Sequence, residues 1–351
     1  MKKGNEKERN KVFSIIVVAV GGVFLPVYLI SWLVFKTAVL RENKSAVMDS
    51  KWVKILLAKA GNIIRMIKNG RMEENEGQER GKSFSDFEEE MTKGKEWFFS
   101  QDRERITITS YDGLKLIAYF LPAKEKTDKI MILMHGYRND GFGDFSGLVN
   151  FYHDLGYHIL APHQRSHGES EGEYICYGVK ERYDVKQWAE YIADRFGELS
   201  KIFLAGISMG GASVLMASGL KLPKQVKGII ADCAFTSPFE IFSHVMKSEC
   251  QLPKFPFLYI ADFICREKAG FGFKECNTIK CLKENKIPVL FIHGGKDNFV
   301  PTEMSYRNYE ACIAPKKLLI VNGAAHGTSH LVDRGAYRCV VSEFINKWGE
   351  S

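Results

Sequence analysis

Hydrophobic positions fall into three textures along this chain. Residues 12–35, VFSIIVVAVGGVFLPVYLISWLVF, run for 24 residues without a charge, and about 20 suffice for a helix to cross the hydrocarbon core of a membrane. Residues 51–68, KWVKILLAKAGNIIRMIK, place Trp52, Ile55, Leu56, Ile63, Met66 and Ile67 on one side of a helix and Lys51, Lys54, Arg65 and Lys68 on the other, with Lys59 straying. Such a helix lies on a membrane surface or packs on its own domain. Residues 69–95 are rich in Glu, Lys, Gly and Ser and read as a linker.

From about residue 97 the texture becomes an alternation of short apolar runs and helical periodicity. RITITSYDGLKLIAYFL predicts two strands turning at Asp112-Gly113. KIMILMHGY, HILAPHQR, KIFLAGIS, VKGIIADCAF, PVLFIHGGKD and KLLIVNGAAH predict six buried strands with helical material between them. Regular alternation of this kind predicts an α/β fold, with a mostly parallel central sheet covered by helices on both faces. Residues 236–285 are far longer than an ordinary strand connection. They predict a cap insertion, in which FPFLYIADFI offers an apolar wall to a substrate or simply packs as helices. The expected organisation is a basic tail over 1–11, a transmembrane helix over 12–35, an amphipathic helix and linker over 36–95, and an α/β domain with the cap insertion over 96–351.

Composition adds little to this and removes some possibilities. A chain of 351 residues with 45% hydrophobic and 26% charged residues has ample material for a core. Its +7 charge comes from scattered Lys and Arg, which gives no nucleic-acid footprint. The basic stretch MKKGNEKERNK would also suit a signal peptide, but the apolar run that follows exceeds the usual h-region and no small-x-small cleavage site follows it. A single-pass anchor in the cell membrane is therefore expected. Five Lys or Arg precede the run and five more lie in 36–54, so charge asymmetry assigns no side. Eight cysteines show no metal-ligand spacing and read as free, buried thiols. No metal or cofactor is called for.

The candidate chemistry sits at the ends of the predicted strands, where open α/β sheets place their ligands. His135, Ser208, Asp297 and His326 each follow an apolar run. A serine hydroxyl becomes a nucleophile when a histidine accepts its proton and a carboxylate orients that histidine. In FLAGISMGGAS, Gly206, Gly210 and Gly211 allow a tight strand-to-helix elbow at Ser208, with Asp297 and His326 following in the order such an elbow requires. The helix opening at Met209 directs its N–H groups and dipole toward the serine. Met209 N–H is one expected oxyanion donor, and Tyr137 N–H in MHGYRND is the other.

LMHGYRND, PHQRSHGESEG, GISMGGAS, IIADCAFTS, LFIHGGKDNFVP and NGAAHG, in that order, resemble the α/β-hydrolase superfamily, and within it bacterial membrane-anchored hydrolases of unassigned substrate. The resemblance covers about residues 97–348. It implies Ser208 as nucleophile, Asp297 as acid, His326 as base, and Tyr137 and Met209 as oxyanion donors. His163 and Ser166 depart from the usual Asp-x-Arg-Gly-His-Gly-x-Ser loop and put the bracing of Arg165 in question. Asp232 is the rival acid and His330 the rival base, while His135 and His167 are expected to shape loops. His153, His158 and His244 are expected to do no chemistry. The function expected is a membrane-anchored serine hydrolase acting on an ester, thioester or similar acyl bond of a small-molecule or lipid-like substrate. The alternatives are an oligopeptide or acylaminoacyl-type peptidase and a silent, membrane-tethered binding protein.

Overall fold

The computed structural model describes residues 25–41, 81–139, 141 and 143–350. The predicted helix at 51–68 and most of the uncharged run at 12–35 lie outside these residues. Two compact units are present, one containing residues 25–41 and 245–272 and the other the remaining described residues.

The larger unit is built on an eight-stranded sheet. Its strands are β1 (Glu104–Thr109), β2 (Lys115–Leu121), β3 (Lys129–Met134), β4 (His158–Pro162), β5 (Lys201–Ile207), β6 (Val226–Asp232), β7 (Val289–Gly294) and β8 (Lys316–Val321). They lie in the order β1-β2-β4-β3-β5-β6-β7-β8. All eight predicted strands are present. β2 runs antiparallel to β1 and β4, and the other neighbours are parallel. The β1–β2 hairpin turns at Gly113, whose φ of +90° is open to glycine and strained for other residues. In the centre, β5 and β7 are buried along their whole apolar length apart from Lys201, as strands covered on both faces must be.

Helices cover both faces. In chain order the described helices of both units are α1 (25–39), α2 (Glu88–Ser100), α3 (Val149–Asp154), α4 (Glu181–Phe196), α5 (Met209–Ala217), α6 (Pro238–Ser248), α7 (Phe257–Ala269), α8 (Thr278–Leu282), α9 (Glu303–Ala311), α10 (Ser329–Val332) and α11 (Arg334–Gly349), and those that cover the sheet belong to the larger unit. On one face, Val185, Trp188, Ala189 and Ile192 of α4 and Val214, Leu215 and Ala217 of α5 pack on alternate residues of the strands. On the other, Phe98 of α2, Val149 and Tyr152 of α3, and Tyr337, Val341, Phe344 and Ile345 of α11 do the same. The strand order reverses at β3, with β4 on one side and β5 on the other, and this is where ligands enter such sheets.

Two expectations change, and one is not reached by the described residues. The segment read as linker is helical from Glu88, because Glu88, Glu89 and Glu90 favour a helix N-terminus and Phe98 is buried at its far end. At Gly94 an added Cβ would lie 1.8 Å from the Ser146 carbonyl oxygen, so α2 sits against the loop before α3 with no room for a side chain. Among the described residues no helix is long and apolar enough to cross a membrane. α1 buries Ser31, Phe35 and Val39, one turn apart, and exposes Leu25, Tyr28, Leu29 and Trp32. Lastly, FPFLYIADFI presents Phe255, Tyr259 and Phe263 outward at 70%, 42% and 63% exposure, while Leu258, Ala261 and Ile264 are buried. The stretch has helical periodicity, so its apolar residues divide between two faces instead of forming one wall.

Candidate active site

Ser208 stands between β5 and α5 with φ 57° and ψ −117°. This is a backbone conformation that non-glycine residues hold only when the surroundings enforce it. The surroundings do so through three glycines. A Cβ on Gly206 would lie 2.3 Å from Gly210 O, one on Gly210 would lie 1.8 Å from Met134 O, and one on Gly211 would lie 2.9 Å from Asp232 O. Strands β3 and β6 thus press directly on the elbow. Ser208 N–H donates to Asp232 O at 2.9 Å, and Ser208 O accepts from Ala212 N–H at 2.9 Å.

Two later loops converge on this serine. Nε2 of His326, from the turn after β8, accepts from Ser208 Oγ at 2.8 Å. Its Nδ1 donates to Asp297 Oδ2, in the loop after β7, at 2.7 Å. Asp297 Oδ1 accepts from Phe299 N–H at 3.0 Å and Val300 N–H at 2.9 Å, which fixes the carboxylate plane. Burial alone would raise this carboxyl, but hydrogen bonds from His293 and His326 outweigh it and hold Asp297 well below the carboxylate range. The arrangement can draw a proton from the serine oxygen onto His326 while an ionised carboxylate stabilises the resulting imidazolium.

The expected oxyanion donors belong to the two segments that flank Ser208. Met209 is the first residue of α5 and is fully buried. Tyr137 follows Gly136, where an added Cβ would lie 3.4 Å from Ser208 Cβ. That loop is tightly held. Gly136 N–H donates to Asp144 Oδ2 at 2.5 Å, and the Asn139 side chain donates to Asp144 Oδ1. His135 is fully buried, with Nδ1 donating to Gly136 O at 2.7 Å and Nε2 accepting from Gln164 N–H at 3.0 Å. Burial pushes its pKa far down, so it stays neutral and shapes the loop as expected. His167 likewise bonds Arg165 O and accepts from Arg138 N–H.

The rivals separate cleanly. Asp232 ends β6 fully buried and makes no hydrogen bond to His326; its Oδ1 accepts from Ser329 Oγ at 3.4 Å, and burial pushes its carboxyl up to about 6. His330 is buried with no hydrogen-bond partner at either ring nitrogen among the described residues, and burial lowers it to about 3. His153, His158 and His244 bond Pro122 O, Ala123 N–H and Asn298 O, in line with structural roles.

The doubt over Arg165 resolves differently from expectation. Its guanidinium is buried and makes a two-point bridge to Asp184, with Nε and Nη2 each 2.6 Å from a carboxylate oxygen, and a second bridge to Asp112 at 2.8 Å. The brace comes from α4 and the β1–β2 turn, so His163 and Ser166 are free to serve the loop itself. His163 Nδ1 accepts from Glu169 N–H, and Ser166 Oγ donates to Tyr174 O.

Sequence reasoning passed over His293. It lies in β7, fully buried, with Nε2 3.2 Å from Asp297 Oδ2 and 2.9 Å from Val300 O, and Nδ1 2.6 Å from Ser305 Oγ. The available signal was a lone histidine inside an otherwise apolar strand, four residues before the acid. Asp144 was passed over as well, because nothing in a loop sequence marks which acid will turn back to bond it. Cys233, Asp297 and His326 bring potential metal-ligand atoms within 4.8 Å of one another. Two of the three already bond each other, which makes the group a poor metal site. An aromatic cluster extends from the oxyanion loop: Tyr137 stacks on Tyr177 at 5.3 Å, Tyr177 meets Phe242 at 4.6 Å, and Phe242 meets Phe273 at 4.7 Å.

An eight-stranded, mostly parallel sheet with a strained serine elbow after β5 defines an α/β hydrolase, and the chain is a member of that superfamily. The family described as serine aminopeptidase, S33, matches residues 125–257. The chain is similar to the uncharacterised protein YqkD of Bacillus subtilis (strain 168), at 28% identity over 256 residues, 73% of this chain and 83% of the relative. It is also similar to an uncharacterised membrane protein of Saccharomyces cerevisiae, YNL320W, at 25% identity over 247 residues, 70% of this chain and 80% of the relative. Among solved structures, the esterase Pf2001 of Pyrococcus furiosus superposes with a TM-score of 0.57 at 24% identity, covering 72% of this chain and 95% of the esterase.

Proposed function

We propose that the protein is a membrane-anchored serine hydrolase that cleaves an ester, thioester or related acyl bond through an acyl-enzyme. The observation that carries this reading is the continuous chain of hydrogen bonds from Ser208 Oγ through His326 to Asp297, starting from a serine in a strained elbow. Ser208 Oγ attacks the acyl carbon as its proton moves to His326 Nε2. The oxyanion forms against the N–H groups of Met209 and Tyr137. His326 returns the proton to the leaving group, and water, activated by the same imidazole, releases the acyl group.

A substrate with an apolar or aromatic acyl part fits the Tyr137, Tyr177, Phe242 and Phe273 cluster beside the oxyanion loop. A cavity of about 500 Å³ is lined by Phe84, Glu88, Met91, Lys95, Asn139 and Asp144, the last two from the loop that carries Tyr137. The uncharged run at 12–35 supports anchoring, as does the relative described as a membrane protein. The serine aminopeptidase description of the matching family favours a second reading, cleavage of an N-terminal peptide bond.

The test is hydrolysis of p-nitrophenyl esters from acetate to palmitate beside a set of aminoacyl p-nitroanilides, with wild type and Ser208→Ala. Ester turnover that falls by roughly four orders of magnitude or more in the variant is expected. Turnover of anilides alone would replace the esterase reading with the peptidase one, and ester turnover unchanged in Ser208→Ala would end both. The full-length chain should stay in the membrane pellet after alkaline carbonate extraction; release into the supernatant would remove the anchor from the account.

A further inference from the structure

Cys276 lies just before the short helix α8 and Cys281 within it, and their sulfurs lie 3.7 Å apart. The geometry follows from the local sequence. Asn277 caps α8 by accepting from Lys280 N–H at 2.8 Å, so Cys276 sits just before the cap and Cys281 one turn later on the same side. The helix is pinned in place because Thr278 donates to Thr236 O through both its backbone N–H, at 2.9 Å, and its hydroxyl, at 3.1 Å. On the Cys281 side the end of α5 closes in, and an added Cβ on Gly219 would lie 2.8 Å from Cys281 Sγ.

A cation completes the cluster. Arg182, in the first turn of α4, acts on both sulfurs; its Nη2 donates to Tyr183 Oη at 2.8 Å, and its buried Nε has no hydrogen-bond partner among the described residues. The Cys281 thiol, followed by the Arg182 charge, lowers Cys276 to about 7 against the opposing effect of burial, while Cys281 is held high as the donor of the pair. Cys250 and Cys339 are exposed, and Cys176, Cys233, Cys265 and Cys312 are buried.

We propose that Cys276 and Cys281 form a peroxide-reactive dithiol that closes reversibly into a disulfide. The sulfurs must approach by about 1.7 Å to reach the S–S bond length, a movement within reach of side-chain rotation. The Cys276 thiolate attacks one oxygen of hydrogen peroxide, the O–O bond breaks, and a sulfenic acid forms with loss of hydroxide. The Cys281 sulfur then attacks the Cys276 sulfur and displaces water. Two thiols and one peroxide thus give one disulfide and two waters, and a thiol reductant reverses the change. A small oxidant suits a pair that is only partly accessible. Nothing in this step depends on the hydrolase reading.

Trypsin makes the test direct, because Lys280 lies between the two cysteines and cleavage leaves them on separate peptides, 275–280 and 281–283. Full-length protein is treated with an equimolar dose of hydrogen peroxide, blocked with N-ethylmaleimide under denaturing conditions, digested and mapped by mass spectrometry. The expected product is the 275–280 peptide joined to 281–283, about 2 Da lighter than the sum of the two, formed at least about tenfold faster than oxidation of Cys250 or Cys339 and lost on dithiothreitol treatment. In Cys281→Ser, Cys276 should accumulate a dimedone-trapped sulfenic acid, and in Cys276→Ser, Cys281 should remain alkylatable. Both thiols carrying maleimide after Cys250 and Cys339 have oxidised would overturn the proposal, as would a link from either residue to a different cysteine. The wild-type map alone decides the matter if a variant does not fold.

Discussion

At Ser208 the chain holds a left-handed backbone conformation that costs on the order of 1–3 kcal/mol, and every neighbour that enforces it is named in the sequence. Gly206, Gly210, Gly211 and the partners Asp297 and His326 were legible because each role demands a residue type at a fixed place relative to a strand. His293 was not legible, since a buried histidine in a strand carries the same signature whether it fills the core or touches the acid. In the proposed mechanism its contacts make it a positioning residue: it bridges Asp297 to Val300 and Ser305, and it does not touch the serine. His293→Gln should lower kcat about 100-fold, the order of loss caused by a small misplacement of a reacting group, while KM changes little. A thermal melt within a few degrees of wild type must accompany that loss. An unchanged kcat would reduce His293 to core packing.

Among the elements, the eight strands and their order of appearance follow from apolar runs that a covered parallel sheet requires. What the pattern did not convey was the helix beginning at Glu88, because charged and glycine-containing stretches form helices when tertiary contacts such as Phe98 and the Gly94–Ser146 approach supply what local propensity lacks. Nor could the pattern divide FPFLYIADFI between a buried and an exposed face without knowing its helical phase. The close approach of α5 to β3 is the element-scale condition for the elbow. Gly210→Ala would set a methyl 1.8 Å from Met134 O, a backbone atom with nowhere to move. A loss of at least about 3 kcal/mol in urea unfolding is expected, together with loss of activity. A variant as stable as wild type would show that β3 and α5 are farther apart than described.

For the whole molecule, Asp232, buried at the carboxyl end of β6, is one contributor to how stability depends on pH. Burial raises Asp232 from its ordinary value of 3.8 to about 6, so the fold prefers the protonated form. That preference is fully present below about pH 3.8 and is lost as pH rises through 6, leaving a cost on the order of 3 kcal/mol at neutral pH. Asp232→Asn should therefore melt higher than wild type at pH 7.5, with the difference shrinking toward pH 4.5 in differential scanning fluorimetry; a variant that melts lower at pH 7.5 would contradict this sign. Asp297, depressed instead of raised, needs its charge, and that contrast between two acids on neighbouring strands separates the one bonded to His326 from the one behind it. Segments after β5, β7 and β8 bring Ser208, His326 and Asp297 into one chain of hydrogen bonds, and the central claim of the proposed function is that Ser208 is a nucleophile. Treatment of the full-length protein with a fluorophosphonate, followed by peptide mapping, tests it most directly. The account predicts one stoichiometric adduct on Ser208 that is absent in Ser208→Ala and slowed by at least about 1,000-fold in His326→Ala. An unlabelled wild type, or an adduct that persists in Ser208→Ala, would contradict it.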